Sequence, residues 1–147
     1  MKVSKVFIAS DHGGFEAKEF AKTCLEKLNL KVVDLGTNSM ESVDYPDFAN
    51  ALASNLKEEP DAFGILVCGT GIGISIAANR HSHVRCALCH DVSGARLARE
   101  HNDANVLAFG GRTTGKLIIE QMIEAFFATE FEGGRHERRI AKLGGAR

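Results

Sequence analysis

The sequence has little proline and almost no net charge, and each shortage excludes a class of protein. Two prolines occur in 147 residues, and 19 acidic side chains nearly cancel 18 basic ones. So little proline argues against a Pro/Gly-rich linker, and a content of 44% hydrophobic and 25% charged residues is ordinary globular composition rather than disorder. The near-neutral charge argues against a surface for nucleic acid or anionic membranes, so we expect neither as a partner. The length suits one compact domain over residues 1–147.

Long hydrophobic runs are missing as well. The first apolar stretch, VFIA, is too short for the core of a signal peptide, and we expect no export signal. An uncharged run covers residues 62–79, but its four glycines favour a buried strand, a loop and a helix over a membrane span. The four cysteines then indicate free thiols in a reducing cytoplasm, where we expect the protein to reside.

Two of the cysteines, Cys86 and Cys89, form a CxxC motif. The surrounding residues predict a strand, in which positions i and i+3 face opposite sides of the sheet. The spacing therefore argues against a redox pair and against a zinc half-site.

Short β-rich runs alternate with stretches of helical period along the chain. The predicted strands are Val6–Ala9, Lys31–Asp34, Phe63–Cys68, Val84–Cys89 and Asn105–Phe109. Apolar residues recur at helical spacing in 17–28, Pro46 is placed to open a second helix, and 117–127 predicts a long apolar helix. This alternation predicts an α/β fold: a single-domain, Rossmann-like, three-layer αβα sandwich with a five-stranded parallel sheet and an extended C-terminal helix.

Glycine is in excess, with 15 residues, and much of the excess lies where predicted strands end. Ligands of such folds bind beyond the carboxyl ends of the strands. Gly69, Gly71 and Gly73 stand at alternate positions before a predicted helix, a geometry that exposes backbone N–H groups and suits a phosphate or an oxyanion. No lysine follows as in a P-loop, and the GxGxG spacing departs from the dinucleotide pattern GxGxxG.

Cys68 ends the third predicted strand, immediately before this glycine loop. A helix N-terminus and backbone amides would stabilise its thiolate, so it can act as a nucleophile or a general base. The alternative is a small buried hydrophobe, the usual role of a free cysteine and the one we assign to Cys24. Composition alone leaves both interpretations of Cys68 open.

The near-neutral charge hides an asymmetry. From Arg135 onward the chain has five cations and one anion, a net charge of +4, whereas the first 134 residues carry −5. Arg135 and Arg139 stand four apart, so a helix would place both on one face, where two guanidinium groups suit a phosphate. The alternatives are a solvated charged helix, which we assign to Arg138 and Lys142, and an RNA-binding tail over 135–147 that lacks stacking aromatics.

Five segments together resemble the ribose-5-phosphate isomerase B family, which includes the galactose-6-phosphate and allose-6-phosphate isomerases. They are SDHGG at 10–14, DYP at 44–46, CGTGIGISIAAN at 68–79, REHNDANVLAFGGR at 99–112 and EGGRHERR at 132–139. The segments occur in the same order from the first strand to the last helix. The resemblance implies a metal-free and cofactor-free aldose–ketose isomerase of the pentose phosphate pathway that works through an enediolate.

The resemblance also implies roles for the reacting residues. Cys68 would be the base that moves a proton between C1 and C2, and position 77 is alanine where some relatives carry a glutamate base. His101 would open the sugar ring, with Asp11 close to the ring oxygen. Thr70 and a set of loop amides would hold the enediolate; these amides belong to Gly69, Gly71, Ile72 and Gly73.

A second group of residues would bind the rest of a sugar phosphate substrate. By the same resemblance, sugar hydroxyls would meet Tyr45 and Asn102. The phosphate would meet His12, Arg112, Arg135 and Arg139. The family builds its site between two subunits, with the C-terminal helix reaching across, so a homodimer or tetramer with a shared active site is expected.

Two alternatives remain open at this stage. One is a hexose-6-phosphate isomerase of the same family, acting on galactose or allose 6-phosphate. The other is a non-catalytic phosphate- or nucleotide-binding module with a flavodoxin-like fold. The sequence assigns no role to His90 or His136, and a metal site at His81 and His83 lacks a supporting carboxylate or thiol cluster.

Overall fold

The computed structural model describes residues 2–144, which form a parallel sheet covered by helices. The strands are β1 (Val6–Ser10), β2 (Val32–Asp34), β3 (Phe63–Cys68), β4 (Cys86–Leu88) and β5 (Val106–Gly110). The helices are α1 (Phe15–Lys27), α2 (Tyr45–Glu58), α3 (Ile72–Ala78), α4 (Val92–Asn102), α5 (Lys116–Ala128) and α6 (Arg135–Ala141), and a 3₁₀ turn, His12–Gly14, precedes α1. All five strands are parallel, in the order β2–β1–β3–β5–β4. The predicted α/β sandwich with five parallel strands is confirmed.

The edge strands differ most from the sequence prediction. The prediction for β3 has the observed bounds, but β2 begins one residue later than expected and β4 covers only Cys86–Leu88 of the predicted Val84–Cys89. Each edge strand pairs with a single neighbour. Val32 pairs with Val6 and Cys86 pairs with Val106, which are the first residues of β1 and β5. Each edge strand therefore begins where its one neighbour begins, which a run of β-forming residues does not show.

Helices cover both faces of the sheet because alternate residues of the central strands point in opposite directions. Ile8, Ile65 and Leu107 face a core shared with α1, α4 and α5. Phe7 and Leu66 face a second core shared with α2 and α3. Three layers result.

The uncharged run at residues 62–79 forms β3, a short loop and α3, as the sequence predicts. Among residues 2–144 no helix is long and apolar enough to span a membrane. Pro46 is the second residue of α2, where it opens the helix as expected.

The two cysteines of the CxxC motif point to opposite faces of the sheet. Cys86 packs against the core beneath α2 and α3, whereas Cys89 belongs to the core beneath α1, α4 and α5. Burial raises the pKa of both thiols, that of Cys89 to about 11. The prediction that the two thiols face opposite sides of the sheet is confirmed, and both remain protonated at neutral pH.

The C-terminal helix is α6, seven residues from Arg135 to Ala141. His136 and Ile140 are buried, while Arg135 and Arg139 are exposed. The predicted placement of the two arginines on one helical face is therefore confirmed. Arg147, the last of the five C-terminal cations, lies outside the described residues.

Candidate active site

Most of the expected site residues lie at the carboxyl edge of the sheet. The three central strands end together there, because Ser10 pairs with Val67 and Cys68 pairs with Gly110. This is the edge at which open α/β sheets bind ligands. We call the following residues the carboxyl-edge cluster: Asp11, His12, Tyr45, Cys68, the loop 69–73 and Arg112.

Cys68 is the last residue of β3 and is only 5% exposed. Its Sγ accepts a hydrogen bond from the backbone N–H of Gly71 at 3.1 Å. The carbonyl of Cys68 accepts from the Gly111 N–H at 2.8 Å, which ties the segment after β5 to the same place. The sulfur is thus placed as a hydrogen-bond acceptor at the start of the loop.

The loop after Cys68 depends on a glycine at position 71. Gly71 has a φ of +80°, and an added Cβ would lie 2.7 Å from the carbonyl carbon of Phe109. Only glycine combines this left-handed conformation with so close a backbone approach. The N–H of Ile72 donates to Oγ1 of Thr70 at 3.2 Å. Two of the loop amides, those of Gly71 and Ile72, are therefore engaged within the loop itself.

Tyr45 begins α2 and lies against Gly73. A Cβ added to Gly73 would stand 2.5 Å from Cζ of Tyr45 and 2.9 Å from its hydroxyl oxygen. Tyr45 is 40% exposed, and Ile72 and Ile76, one turn apart on α3, are 52% and 53% exposed. The cluster therefore opens onto an apolar patch of surface, formed by Tyr45, Ile72 and Ile76.

His12 and Arg112 line a small cavity beside the glycine loop. Nδ1 of His12 accepts from the backbone N–H of Val43 at 3.1 Å. A neutral His12 must then carry its proton on Nε2. The Arg112 N–H donates to the Gly69 carbonyl at 2.9 Å. The cavity has a volume of about 200 Å³ and is lined by His12, Gly13, Glu16, Ala17, Met40, Gly111 and Arg112.

Asp11 is 7% exposed and helps to shape the turn after β1. Its Oδ1 accepts from the Gly14 N–H at 3.1 Å, which caps the 3₁₀ turn. Gly13 lies against the glycine loop, because an added Cβ would be 3.2 Å from the nitrogen of Gly69. The Asp11 carboxylate therefore lies beside the start of the loop.

A buried ion-pair network holds the neighbouring backbone. Nζ of Lys18, whose side chain is fully buried, lies 2.7 Å from both carboxylate oxygens of Asp34, and Lys22 donates to Oδ2 at 2.8 Å. Oδ1 of Asp34 also accepts from the Gly36 N–H at 2.8 Å, and the Gly36 carbonyl accepts from the Ser10 N–H. Burial alone would raise the pKa of Asp34, but these hydrogen bonds outweigh it and hold that pKa below its usual value.

The other expected site residues lie at the opposite, amino edge. His101 and Asn102 are the last two residues of α4, and the helix is capped by Asp103, with a φ of +45°. Nε of Arg85 donates to the Asn102 carbonyl at 2.9 Å. Asn102 also lines a cavity of about 460 Å³ beside Ile140 of α6.

Helix α6 brings the C-terminal arginines to this same edge. The rings of His136 and His101 stack, with centroids 4.4 Å apart and planes 16° apart. Burial lowers the pKa of His136, and the nearby Arg135 and His101 lower it further. His101, Asn102, Arg135 and Arg139 form what we call the amino-edge cluster.

The two clusters lie far apart within one chain. Cys68 pairs with Gly110, whereas His101 and Asn102 come before β5 begins at Val106. Four strand residues span about 13 Å. One chain therefore does not bring His101 to Cys68.

Sequence reasoning assigned nothing to His136 or Glu132, both of which lie beside His101. The sequence signal for His136 is its spacing in α6: His136 and Ile140 stand four apart, on a face adjoining that of the arginines. His81 and His83 instead bond to α2: Nε2 of His81 lies 2.8 Å from Oδ1 of Asn50, and Nε2 of His83 lies 2.7 Å from the Ala53 carbonyl.

The fold and the position of the cluster define a Rossmann-like α/β protein whose candidate site is a thiol and a glycine loop at the carboxyl edge. A family model described as Ribose/Galactose Isomerase matches residues 6–143. The chain belongs to this family and is an isomerase.

Three relatives illustrate how close the similarity is. Ribose-5-phosphate isomerase B of Escherichia coli is 40% identical over 141 residues, covering 96% of this chain and 95% of that protein. The crystal structure of a ribose 5-phosphate isomerase from Thermotoga maritima matches with a TM-score of 0.92 and 49% identity, covering 95% of this chain and 97% of that one. Ribose-5-phosphate isomerase B of Mycoplasma genitalium, with bound ribulose 5-phosphate, has a TM-score of 0.92 and 41% identity, covering 97% and 95%.

Proposed function

We propose that this isomerase interconverts ribose 5-phosphate and ribulose 5-phosphate through an enediolate, with Cys68 as the base. The observation that carries the proposal is the buried sulfur of Cys68, which accepts an amide hydrogen bond at the mouth of a glycine loop. The Mycoplasma genitalium relative, which holds ribulose 5-phosphate in its crystal structure, supports the choice of substrate.

Cys68 has the surroundings that proton abstraction next to a carbonyl requires. The thiolate takes the proton from C2 of the open aldose, and the same proton returns to C1, so the thiol is a base and then an acid. The hydroxyl proton on the C2 oxygen passes to the C1 oxygen, so that C2 becomes the carbonyl and C1 the alcohol. The charge that develops on oxygen needs donors already in place. Because the amides of Gly71 and Ile72 are engaged within the loop, we assign the oxyanion to those of Gly69, Thr70 and Gly73.

The phosphate end of the substrate fits the small cavity beside the loop. Its His12 offers a proton on Nε2, because Nδ1 already accepts from Val43, and Arg112 adds a fixed positive charge. The hydroxyl of Tyr45, at the mouth of the cluster, is placed to meet a sugar hydroxyl. Phosphate binding would hold the reacting carbons at Cys68.

A second copy of the chain supplies the amino-edge cluster. His101 would protonate the ring oxygen beside Asp11 of the other chain, while Asn102, Arg135 and Arg139 would hold the sugar and its phosphate. The separation of the clusters within one chain supports this arrangement. So does the exposed apolar patch of Tyr45, Ile72 and Ile76 at the carboxyl-edge cluster, since such patches mark contacts between proteins. We therefore infer a symmetric homodimer, alone or within a tetramer.

The protein would act in the cytoplasm. Its four cysteines form no disulfide, and thiols persist in a reducing compartment.

The proposal is tested by following ribulose 5-phosphate formation from ribose 5-phosphate with wild type, Cys68→Ala and Cys24→Ala. We expect a kcat lower by about 10²–10⁴-fold in Cys68→Ala, with the sugar phosphate still bound. Cys24→Ala is the matched control, because Cys24 is an equally buried thiol on α1. Turnover near the wild-type rate in Cys68→Ala would remove the base assignment.

A six-carbon substrate is the second candidate, favoured by the family description, which names galactose beside ribose. The same assay with galactose 6-phosphate and allose 6-phosphate separates the two. A kcat/KM higher for either hexose phosphate than for ribose 5-phosphate would change the assigned substrate but leave the role of Cys68 intact.

A further inference from the structure

Three side chains with atoms suited to bind a metal meet at the amino edge. They are His101, Glu132 and His136, here called the amino-edge trio, and their candidate ligand atoms all lie within 4.8 Å of one another. The proposed reaction uses His101 alone. Glu132 and His136 therefore need a separate explanation.

The backbone builds this arrangement with two glycines. Gly133 and Gly134 have φ values of +72° and +59°, which turn the chain sharply before α6. The Glu132 N–H donates to the Glu100 carbonyl at 3.0 Å, so Glu132 is attached to the last turns of α4. His136 lies in the first turn of α6 and stacks on His101.

His136 supplies an independent observation that points to a ligand. The residue is 5% exposed, and its Nε2 has no hydrogen-bond partner among residues 2–144. A buried nitrogen of this kind is rare in folded proteins because it has lost its water without gaining a partner. A bound cation at the trio would satisfy it.

We propose that His101, Glu132 and His136 bind one divalent transition-metal cation of the Zn²⁺ type, and that the bound cation inhibits the enzyme. Two imidazoles and one carboxylate form a known zinc ligand set that leaves a fourth position open. Imidazole ligands favour Zn²⁺, Ni²⁺ or Cu²⁺ over Mg²⁺ and Ca²⁺, which prefer oxygen.

Binding needs a small movement of side chains. Tetrahedral zinc places its ligand atoms about 3.3 Å apart, whereas the candidate atoms of the trio lie within 4.8 Å of one another. The two rings are stacked and almost parallel, so their nitrogen lone pairs lie in two separate planes. The lone pairs can point at one cation only after His101 turns about its Cβ–Cγ bond. His101 is half-buried and Glu132 is exposed, and both can adjust around the fixed His136. This rearrangement predicts micromolar rather than nanomolar affinity.

The inhibitory half of the proposal rests on the proposed function. The cation occupies the nitrogen lone pair on which His101 would take up its second proton, so the imidazolium that protonates the ring oxygen cannot form. The cation acts as a reversible inhibitor and takes no part in the reaction.

Calorimetric titration of tag-free, full-length protein with Zn²⁺ tests the site without reference to activity. Wild type should bind one Zn²⁺ per chain, and Co²⁺ at the same site should give visible absorption bands. Glu132→Gln and His136→Gln should each weaken binding about 100-fold or more, because losing a ligand costs at least as much as losing an outer-shell partner. Glu132 is exposed, so its variant tests the site even if His136→Gln fails to fold. His81→Gln, from the second histidine pair, should bind as wild type.

Three outcomes overturn the site: no Zn²⁺ binding below millimolar concentration, unchanged binding in Glu132→Gln, or lost binding in His81→Gln.

The second experiment measures isomerase activity. Zn²⁺ should inhibit wild type, EDTA should restore the rate, and Glu132→Gln should need about 100-fold more Zn²⁺. Full activity with Zn²⁺ bound would overturn the inhibition. An absence of isomerase activity before any Zn²⁺ is added would count against the proposed function and leave the binding result to decide the site.

Discussion

The two edges of the sheet are built in different ways. The carboxyl-edge cluster combines the backbone of a glycine loop with two buried side chains, Cys68 at 5% exposed and Asp11 at 7% exposed. The amino-edge cluster is made of side chains on helix ends, and its two arginines are exposed. A base works best when it is held out of water, whereas cations that capture a phosphate must first meet it in water. On the proposed assignment, a single chain contains the whole base site but only part of the substrate-binding site.

Mixing two inactive variants tests whether the two clusters act together across two chains. Cys68→Ala damages only the carboxyl-edge cluster, and His101→Asn damages only the amino-edge cluster. Each variant alone should lose about 10²–10⁴-fold in kcat. After the subunits are exchanged by dilution and reassembly, about a quarter of the sites in random dimers carry both native halves. The measured rate should therefore recover to roughly a quarter of wild type.

Two controls check that the recovered activity comes from hybrid dimers. Each variant taken through the same dilution alone should stay inactive. An affinity tag carried by only one variant should retain both variants after reassembly, which shows that hybrids formed. A mixture that stays inactive although hybrids are present would show that Cys68 and His101 act within one chain.

Much of the carboxyl edge could be predicted from the sequence, because its signals are local. The run Phe63–Cys68 is apolar enough to be a central strand, and the glycines that follow it predict the loop. The amino-edge cluster was harder to predict from the sequence, because its residues come from helix ends that are distant from one another along the chain. His101 lies just before the predicted strand Asn105–Phe109, which already places it at the amino edge. What no local signal shows is the insertion of β5 between β3 and β4, which sets Gly110 beside Cys68.

The second prediction concerns what holds the carboxyl edge in place. Asp34→Asn should lower the free energy of unfolding by about 3 kcal/mol at neutral pH, because it leaves the buried Lys18 without its full counter-charge. The pKa of Asp34 is held below its usual value, so its contribution is present above about pH 4 and is lost as the pH falls. Urea unfolding of both proteins from pH 7 to pH 3 measures this, and the difference should shrink toward the acid end.

Glu120→Gln is the matched control for this measurement. Glu120 pairs with Lys27 at 3.3 Å, but Lys27 is 70% exposed, so this pair lies at the surface. Surface pairs contribute about 0–1 kcal/mol. Equal losses of unfolding free energy in Asp34→Asn and Glu120→Gln would mean that the Asp34 network stabilises the protein no more than a surface ion pair does.

The third prediction separates the arginines of α6 by helix face. Arg139→Ala should raise KM for ribose 5-phosphate about 10- to 100-fold and change kcat less, because a charge-assisted hydrogen bond to the phosphate is lost. Arg138→Ala removes the same charge from the next position and should leave KM near the wild-type value. Equal KM values in the two variants would show that α6 attracts the substrate only through its overall charge.

The smallest expected effect comes from Gly73→Ala, which tests whether Tyr45 of the carboxyl-edge cluster contributes to binding of the sugar. A Cβ at position 73 would lie 2.5 Å from Cζ of Tyr45, so the exposed tyrosine ring must swing away. Stability should hold or rise slightly, since alanine in a helix is favoured over glycine by about 0.5–1 kcal/mol. KM should rise only a few-fold, because Tyr45 holds a neutral hydroxyl and such a hydrogen bond contributes about 0.5–1.5 kcal/mol. Gly115→Ala, where an added Cβ meets no atom within 4 Å, is the control and should not affect KM. A Gly73→Ala enzyme with unchanged KM would show that the sugar is positioned by Asn102 and the other amino-edge side chains, without help from Tyr45.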